Sequence, residues 1–406
     1  MDQLAQYISD GVDRAKAGKA LEVYNAVAPH IDNDTLPPKS HYPTGWIIYY
    51  ALHQAADSAV DIRKRMLAKY LKLRVAKPHK LHSMILTEAI RLYKDAANIA
   101  FNHQRDDMVR FSISRFAALW NLENLRPGDW RRKEFEGKQL SSTAEKLITL
   151  CVDECMETNT SPSPELTAIT DHALSLFPDS HSLLYQRASL HILQTQPDQA
   201  IPLLKKAILI APSKHYLWSR LASLVSPEKD LRLHVSLLFR SLSSPGPEQF
   251  KGKVRLALAK AWIYAKAYPQ ALYELLSFKH VYEQNGWHLS RHFNSTLSQI
   301  PEGTSPADPT PAYKRVEPIA DSFIYDAIPV LEVKKTYHKD PPQNAPSKGF
   351  NSNVVAWRVT DSEGRHYWIH PHRFKIPPHL PIGTQLKIKL NNGKPVKADL
   401  ITEPQP

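Results

Sequence analysis

Apolar residues recur at three- and four-residue spacings through most of the first 300 positions, which is the pattern of amphipathic helices. Prolines and Pro-Gly pairs separate these periodic segments and mark the breaks between helices. In the first 150 residues the clearest segments are 5–27, 46–73, 83–98 and 111–122. We interpret residues 1–150 as a series of irregular helical hairpins.

A fixed period appears in the next part of the chain. Ala173 and Pro178 recur as Ala207 and Pro212, and both offsets are 34 residues. Self-similarity at a constant spacing of 20 to 50 residues is typical of repeat proteins in which each unit is one supersecondary element. Residues 151–299 are therefore predicted to be a distinct group of regular helical repeats.

The positions of small residues within this period resemble the tetratricopeptide repeat. The small residue of its first helix falls on Ala188, and the small residue that opens its second helix falls on Ala200. The next small residue falls on Ala207 and the terminating proline on Pro212. Small side chains are needed where two antiparallel helices cross closely, and a proline cannot continue a helix.

The resemblance extends over about residues 165–285, with departures in one unit. That unit keeps Ala222 but has His234 and Ser241 where the family has small residues, and the following unit returns to the pattern with Ala259 and Ala271. The resemblance implies an α-solenoid of stacked hairpins that presents a concave surface to a protein partner.

The composition changes near residue 300. Segment 300–312 is rich in proline and is predicted to be a semi-rigid linker. Beyond it the helical period is replaced by β-branched and aromatic residues in alternation, with turn signals at Gly364 and at Asn392-Gly393. The predicted strands are 323–333, 354–360, 365–370, 383–390 and 396–401. Residues 313–406 are accordingly predicted to form a small β-barrel of the OB or SH3-like type.

The predicted fold class is thus mainly α, with a tetratricopeptide-like solenoid followed by a small C-terminal barrel. Charge distinguishes the barrel from the rest of the chain. The full chain has 52 Lys and Arg against 40 Asp and Glu, a net charge of +12. Residues 334–397 alone contain 12 Lys and Arg against 3 Asp and Glu, so this segment contributes +9. Aromatic residues interleaved with cations are what a single-stranded nucleic-acid platform needs, because bases stack on rings while cations neutralise phosphates.

The order of these strands resembles the cold-shock type of OB-fold. The Tyr367-Trp368-Ile369-His370 stretch matches that family's third-strand motif, in which alternate residues, here Trp368 and His370, face nucleic acid. Tyr367 and Ile369 then face inward. The chain departs from the family at Pro371, which replaces a third exposed aromatic, and in a long insertion at 337–353.

The candidate nucleic-acid-binding residues share a place on or beside these strands and an aromatic or cationic side chain. They are Trp357, Arg358, Arg365, Trp368, His370, Arg373 and Lys387. The partner is single-stranded RNA or DNA. Two alternatives stay open: a barrel that binds peptide in the manner of an SH3 domain, and a barrel with a purely structural role.

A second basic stretch lies between residues 63 and 80, which contain no acidic residue. Its candidate contact residues are Arg63, Lys64, Arg65, Lys69 and Lys72. With Ile62, Met66, Tyr70 and Leu73 as a buried stripe, the cations are expected on the exposed face. They form either a solvated helix surface or a second site for phosphate or an acidic partner.

Several classes of function are not indicated. Two cysteines, Cys151 and Cys155, cannot build a disulfide framework or a zinc site and are interpreted as core residues. His366, His370 and His372 lack a completing ligand, and no metal or other cofactor is expected. Nucleotide-binding loops and hydrolase, metalloprotease and kinase motifs are not found, so the chain is interpreted as non-enzymatic. The absence of a signal sequence or of a long apolar stretch favours a cytoplasmic protein without membrane contact.

The leading interpretation is therefore a scaffold or adaptor that binds protein through its helical body and single-stranded nucleic acid through its basic barrel. The alternative is a protein-only scaffold whose barrel binds peptide. Blocks 46–50 and 118–122 resemble bacterial repeat proteins encoded in phage-conflict cassettes. That resemblance implies a role in such a system.

Overall fold

The computed structural model describes residues 2–103, 111–328, 330–338, 354–361, 364–370, 374, 376–377 and 380–401. The chain divides into two compact units, residues 1–200 and residues 201–406. Helices dominate both units, and an antiparallel sheet completes the second one. The division falls within the repeats predicted for 151–299 rather than at residue 150.

The first unit contains nine α-helices among its described residues and one short hairpin. The helices are α1 (Asp2–Arg14), α2 (Ala20–Asp32), α3 (His41–Gln54), α4 (Val60–Tyr70), α5 (Lys80–His103), α6 (Ile113–Trp120), α7 (Thr143–Thr158), α8 (Pro164–Leu176) and α9 (His181–Leu193). The hairpin strands are β1 (Lys133–Phe135) and β2 (Lys138–Leu140). The predicted segment 5–27 is interrupted at Gly18, whose φ of 98° no other residue adopts readily.

Local sequence signals explain where these helices begin. Ser142 accepts a hydrogen bond from the backbone N–H of Glu145, whose carboxylate accepts one from the backbone N–H of Ser142. This reciprocal capping box satisfies two N–H groups that have no partner within the helix. Ser163 and Ser180 cap α8 and α9 with the same serine chemistry.

Helix α10 (Pro197–Ile210) begins in the first unit and continues into the second. The second unit continues with α11 (His215–Ala222), α12 (Pro227–Ser243), α13 (Gly252–Tyr264), α14 (Tyr268–Gln284), α15 (Arg291–Leu297) and α16 (Thr310–Ile324). Helix α11 packs on α12, and α13 packs on α14. Both pairs lie within residues 151–299, for which regular helical repeats are predicted.

The small residues assigned to helix crossings are all buried. Ala188, Ala200, Ala207, Ala222, Ala259 and Ala271 are 0% exposed. The two departures from the pattern are accommodated by hydrogen bonds. The His234 ring lies 2.7 Å from the Val225 carbonyl oxygen, and the Ser241 hydroxyl donates to the His215 carbonyl at 2.8 Å. The assigned register of the repeats is therefore consistent with the observed burial.

Helix α16 overturns the predicted linker and the predicted start of the barrel. Residues 310–312 form its first turn, and residues 313–324, which are predicted to belong to the barrel, continue as helix. The strand predicted at 323–333 therefore begins only at Val330. Helix α16 packs on α12, and the backbone N–H of Ala307 donates to the Pro269 carbonyl at 3.0 Å. The segment from 307 onward is thus part of the helical packing of the second unit, not a free linker.

Tyr313 shows why α16 packs there. Its ring is 2% exposed and stacks on Phe239 with centroids 4.7 Å apart. Its hydroxyl donates to Glu274 Oε1 at 2.8 Å and accepts from Trp262 Nε1 at 3.0 Å. Burial raises the pKa of Glu274, and Arg255 offsets part of that cost with an ion pair at 2.8 Å. One aromatic residue therefore ties α16 to three other helices.

The C-terminal sheet has five antiparallel strands in the order β5-β4-β3-β6-β7. They are β3 (Val330–His338), β4 (Val354–Thr360), β5 (His366–Ile369), β6 (Gln385–Asn391) and β7 (Lys394–Leu400). Among the described residues β5 and β7 are the two edges, so the expected barrel is instead a curled half-barrel. The turn between β6 and β7 has positive φ at Asn392 and Gly393, as a tight hairpin requires.

The buried position of Ala207 predicts that Ala207→Trp will lower the free energy of unfolding by about 1–3 kcal/mol or more, because the added ring cannot fit at a closely packed site. Thermal and urea denaturation measure the change. Ala68→Trp, at an exposed position of α4, is the matched control and should change stability little. Equal stability of the two variants would show that the assigned repeat register is wrong.

Candidate nucleic-acid interface

The register between β4 and β5 separates two faces of the sheet. Trp357 lies opposite Ile369, and both side chains are 0% exposed. They pack with Leu331 and Val359 in the core of the sheet. The interpretation of Trp357 as a nucleic-acid contact is therefore wrong, because a ring buried in the core has no face on which a base can stack.

The next pair along the same two strands points the other way. Arg358 lies directly opposite Trp368, and the Trp368 side chain is 53% exposed. Side chains of directly opposed residues share a face and lie about 5 Å apart at Cβ. This outer face of β4 and β5 thus presents a cation and an aromatic ring as neighbours.

The predicted alternation along β5 is confirmed. Trp368 and His370 are exposed, whereas Tyr367 is half-buried and Ile369 is buried. His366 is exposed on the same face as Trp368, and its Nδ1 lies 2.8 Å from the Thr360 hydroxyl. The exposed part of this face therefore carries one large ring, two imidazoles and a guanidinium.

The other predicted cations lie in different surroundings. Arg365 is exposed and pairs with Asp361, its Nε donating to Oδ2 at 2.7 Å. Arg358 is half-buried, and its Nε has no hydrogen-bond partner among the described residues. Arg373 lies outside the described residues. Arg358 is therefore the candidate cation that adjoins Trp368, and its Nε is buried rather than open to a ligand.

Lys387 lies on β6, opposite Asp399 of β7 and Val330 of β3. Leu386 and Ile388 on either side of it are buried in the sheet core, so Lys387 points to the outer face. There it lines a cavity of about 300 Å³ between the sheet and helices α12 and α16. The lining side chains are mostly charged: Arg240, Glu317, Pro318, Asp321, Lys387, Lys389, Lys397 and Asp399.

An ion triad closes the inner wall of this cavity. Asp321 of α16 pairs with Arg240 of α12 and, at 2.8 Å, with Lys389 of β6. The Asp321 and Lys389 side chains are each 2% exposed. Asp321 Oδ1 and Arg240 Nε are buried and have no hydrogen-bond partner among the described residues. The triad therefore leaves one buried acceptor and one buried donor unsatisfied among the described residues.

Among the described side chains of the sheet, Lys389 is the cation with a clearly shifted pKa. Burial lowers its pKa from 10.5 to about 8, and the charges of Arg240 and Lys397 act in the same direction. The Asp321 carboxylate opposes them, so Lys389 is charged at neutral pH. Sequence reasoning missed this residue. Its only signal was the alternation Lys387-Ile388-Lys389, which does not show that a helix covers one lysine more than the other.

The second basic stretch is largely paired. Arg63 was expected on the exposed face, but its side chain is 0% exposed and its Nη1 donates to Asp95 at 2.7 Å. That expectation is wrong because Arg63 lies on the packed side of α4, while Ile62 of the predicted buried stripe is 44% exposed. Met66 and Tyr70 of that stripe are buried as expected.

The remaining cations of this stretch lie nearer to solvent. Lys69 and Lys72 both pair with Asp32 of α2, Lys72 at 3.4 Å. Lys64 pairs with Asp61 at 3.5 Å, and Arg65 is exposed. Asp32 of α2 and Asp61 of α4, both outside the stretch 63–80, thus neutralise part of a surface that is purely basic in sequence.

Neither metal ligation nor membrane crossing is indicated by the part of the chain that the structure describes. Within it, groups of three or more His, Cys, Asp or Glu side chains with metal-binding geometry are absent. His372, one of the three histidines considered for metal, lies outside the described residues. Cys151 and Cys155 are buried, as expected for core residues. Among the described helices none is long and apolar enough to cross a bilayer.

One comparison with known families gives a match. Residues 183–319 match a family model described as "Domain of unknown function (DUF7017)". The match runs from α9 into α16 and ends before the sheet, so it covers most of α16 together with the helices that precede it. A comparison with curated proteins finds no match to the chain.

The pKa of Lys389 is directly testable. Titration of lysine side-chain resonances by NMR should show one midpoint near 8, well below the value of about 10.4 for an ordinary lysine. Lys389→Met should remove that resonance. Because the unfolded chain holds this proton to higher pH, the contribution of Lys389 to stability should rise between about pH 8 and 10.5. A lowest lysine midpoint above 9.5 would contradict the buried placement.

Proposed function

We propose that the protein is a non-enzymatic scaffold whose C-terminal sheet contacts single-stranded nucleic acid through the outer face of β4 and β5. The observation that carries the proposal is the pair of Arg358 and Trp368, directly opposed on that face, with the ring half-exposed. A base stacks on the ring while the guanidinium meets the adjoining phosphate. Such stacking contributes about 1–3 kcal/mol per base and tolerates any sequence.

The place of this pair in the sheet supports the proposal. In order along the chain, β4 and β5 are the second and third strands of the sheet. OB-folds bind oligonucleotides on the face of their second and third strands. The resemblance to the cold-shock type of OB-fold implies the same face, and the exposure of Trp368 and His370 is compatible with it.

The charged cavity extends the same surface. Lys387 lies on the outer face of β6, three strand spacings or about 14 Å from β5. The Glu332–Lys334 ion pair of β3 lies between them. A single strand laid across the sheet meets Trp368 and Arg358 first and Lys387 last. We propose Lys387 and Lys397, at the mouth of the cavity, as the phosphate contacts at that end.

The helical part of the chain is proposed to bind protein. Its pairs α11–α12 and α13–α14 are successive packed helices, with buried alanines at Ala222, Ala259 and Ala271. Stacked hairpins of this kind form extended concave surfaces that are used for protein recognition. The tetratricopeptide resemblance supports the same role, and together the two activities describe an adaptor.

Trp368→Ala in the full-length chain should weaken binding of a single-stranded oligonucleotide by about 1–3 kcal/mol, because the stacking platform is lost. Fluorescence anisotropy measures the affinity, and thermal denaturation verifies the fold. Phe250→Ala removes an equally exposed ring elsewhere in the second unit and is the matched control, expected to leave affinity unchanged. Loss of binding in both variants would show that general apolar surface, not this face, is responsible.

Arg358→Ala should reduce the magnitude of the slope of log K against log salt concentration by about one, because one phosphate contact disappears. Lys260→Ala, an exposed charge on α13, should leave the slope unchanged. Measurements from about 50 to 200 mM salt cover the range in which such contacts dominate. A wild-type chain that binds no oligonucleotide at about 50 mM salt would overturn the proposal, and salt-insensitive peptide binding would replace it.

A further inference from the structure

The first unit contains a cavity that the proposed function does not use. It has a volume of about 600 Å³ and is walled by α6, α7 and α8, with the turn after α6 and the segment before α8 at its mouth. Sites for small molecules commonly have volumes of about 300–1,000 Å³. Every residue of this cavity belongs to residues 114–169, so it lies entirely within one unit.

The floor of the cavity is apolar. Leu147 and Ile148 of α7 and Leu166 and Ile169 of α8 are buried there, together with Ala117 of α6. Alanine at position 117 keeps the space open, because a larger side chain would occupy it. A floor of this kind binds hydrocarbon by removing it from water and discriminates weakly among shapes.

The mouth of the cavity is acidic. Glu123 and Glu165 line it and are exposed, and the described lining includes neither lysine nor arginine. Hydrogen bonds from its own backbone N–H and from the Ser163 hydroxyl lower the pKa of Glu165, so it is ionised at neutral pH. Thr160 and Ser161 also line the cavity. An apolar floor below two carboxylates is complementary to a molecule with an apolar body and a positive end.

We propose that this cavity binds a small amphipathic cation, with its hydrocarbon body on α7 and α8 and its ammonium group between Glu123 and Glu165. The same carboxylates repel the anionic head group of a molecule whose hydrocarbon chain has the same length. The selectivity of the site therefore resides in the mouth and its affinity in the floor. This inference is independent of the nucleic-acid interface, with which it shares no residue.

Two cysteine side chains line the cavity and can be used to detect binding there. Cys151 and Cys155 are the two cysteines of the full chain, lie one helical turn apart on α7, and both line the cavity. Burial raises the pKa of the Cys151 thiol, whereas Cys155 is 6% exposed. The rate of alkylation at Cys155 thus reports on access to a side chain that lines this cavity.

Decyltrimethylammonium and decyl sulfate, each below its micellar concentration, are the probes for calorimetric titration of the full-length chain. The cation should bind about tenfold more tightly than the anion of equal length. The double variant Glu123→Gln, Glu165→Gln should weaken binding of the cation about fivefold and should not weaken binding of the anion. Unchanged melting temperatures would confirm that the variants are folded.

Two further measurements locate the site. Ala118→Trp places a ring at the mouth from an exposed helix position and should abolish binding of the cation, whereas Ala68→Trp on α4 should not. Saturating decyltrimethylammonium should slow alkylation of Cys155. Equal affinity for both probes, full binding by Ala118→Trp, or unprotected Cys155 would each overturn the proposal. These outcomes leave the nucleic-acid proposal untouched, because the sheet is tested with oligonucleotides.

Discussion

The second unit depends on one buried carboxylate, that of Asp321. It pairs with Arg240 of α12 and with Lys389 of β6, so helix, helix and strand meet at a single group. Removing one partner of a buried ion pair typically costs about 3–5 kcal/mol, because the other charge is left in a dry environment. Each member of this triad therefore constrains the other two, and an ion pair joins β6 to α16.

This constraint divides the outer face of the sheet into two parts. Where α12 and α16 cover β6 and β7, lysines are half-buried or buried and line the charged cavity. On β4 and β5, the same face leaves Trp368 exposed and Arg358 beside it. The inner face contains a second tryptophan, Trp357, which is fully buried whereas Trp368 is half-exposed. Function on this sheet is thus a matter of which face and which strand a residue occupies.

Net charge is a poor guide to which cations of this chain are available to a partner. The first unit uses Arg63 to pair with Asp95 and uses Lys69 to pair with Asp32. In the second unit Lys389 and Arg255 each pair with a buried carboxylate. Surface potential therefore depends on partners that are distant along the chain. The exposed carboxylates at the mouth of the apolar cavity show the converse, an acidic site in a basic protein.

The amino-acid sequence by itself determined the helical segments, the buried alanines at 188, 200 and 207, the tight turn at Asn392-Gly393 and the inward and outward alternation along β5. These features follow from periodicity and backbone preference, which act over a few residues. Tertiary structure alone decided that 310–324 is a packed helix, that the sheet stays an open half-barrel, and that Arg63 and Lys389 are buried. The reason is distance along the chain: Arg63 meets Asp95 32 residues away, and Arg240 meets Asp321 81 residues away. A local sequence pattern cannot predict such partners, because the two residues come together only when their helices pack.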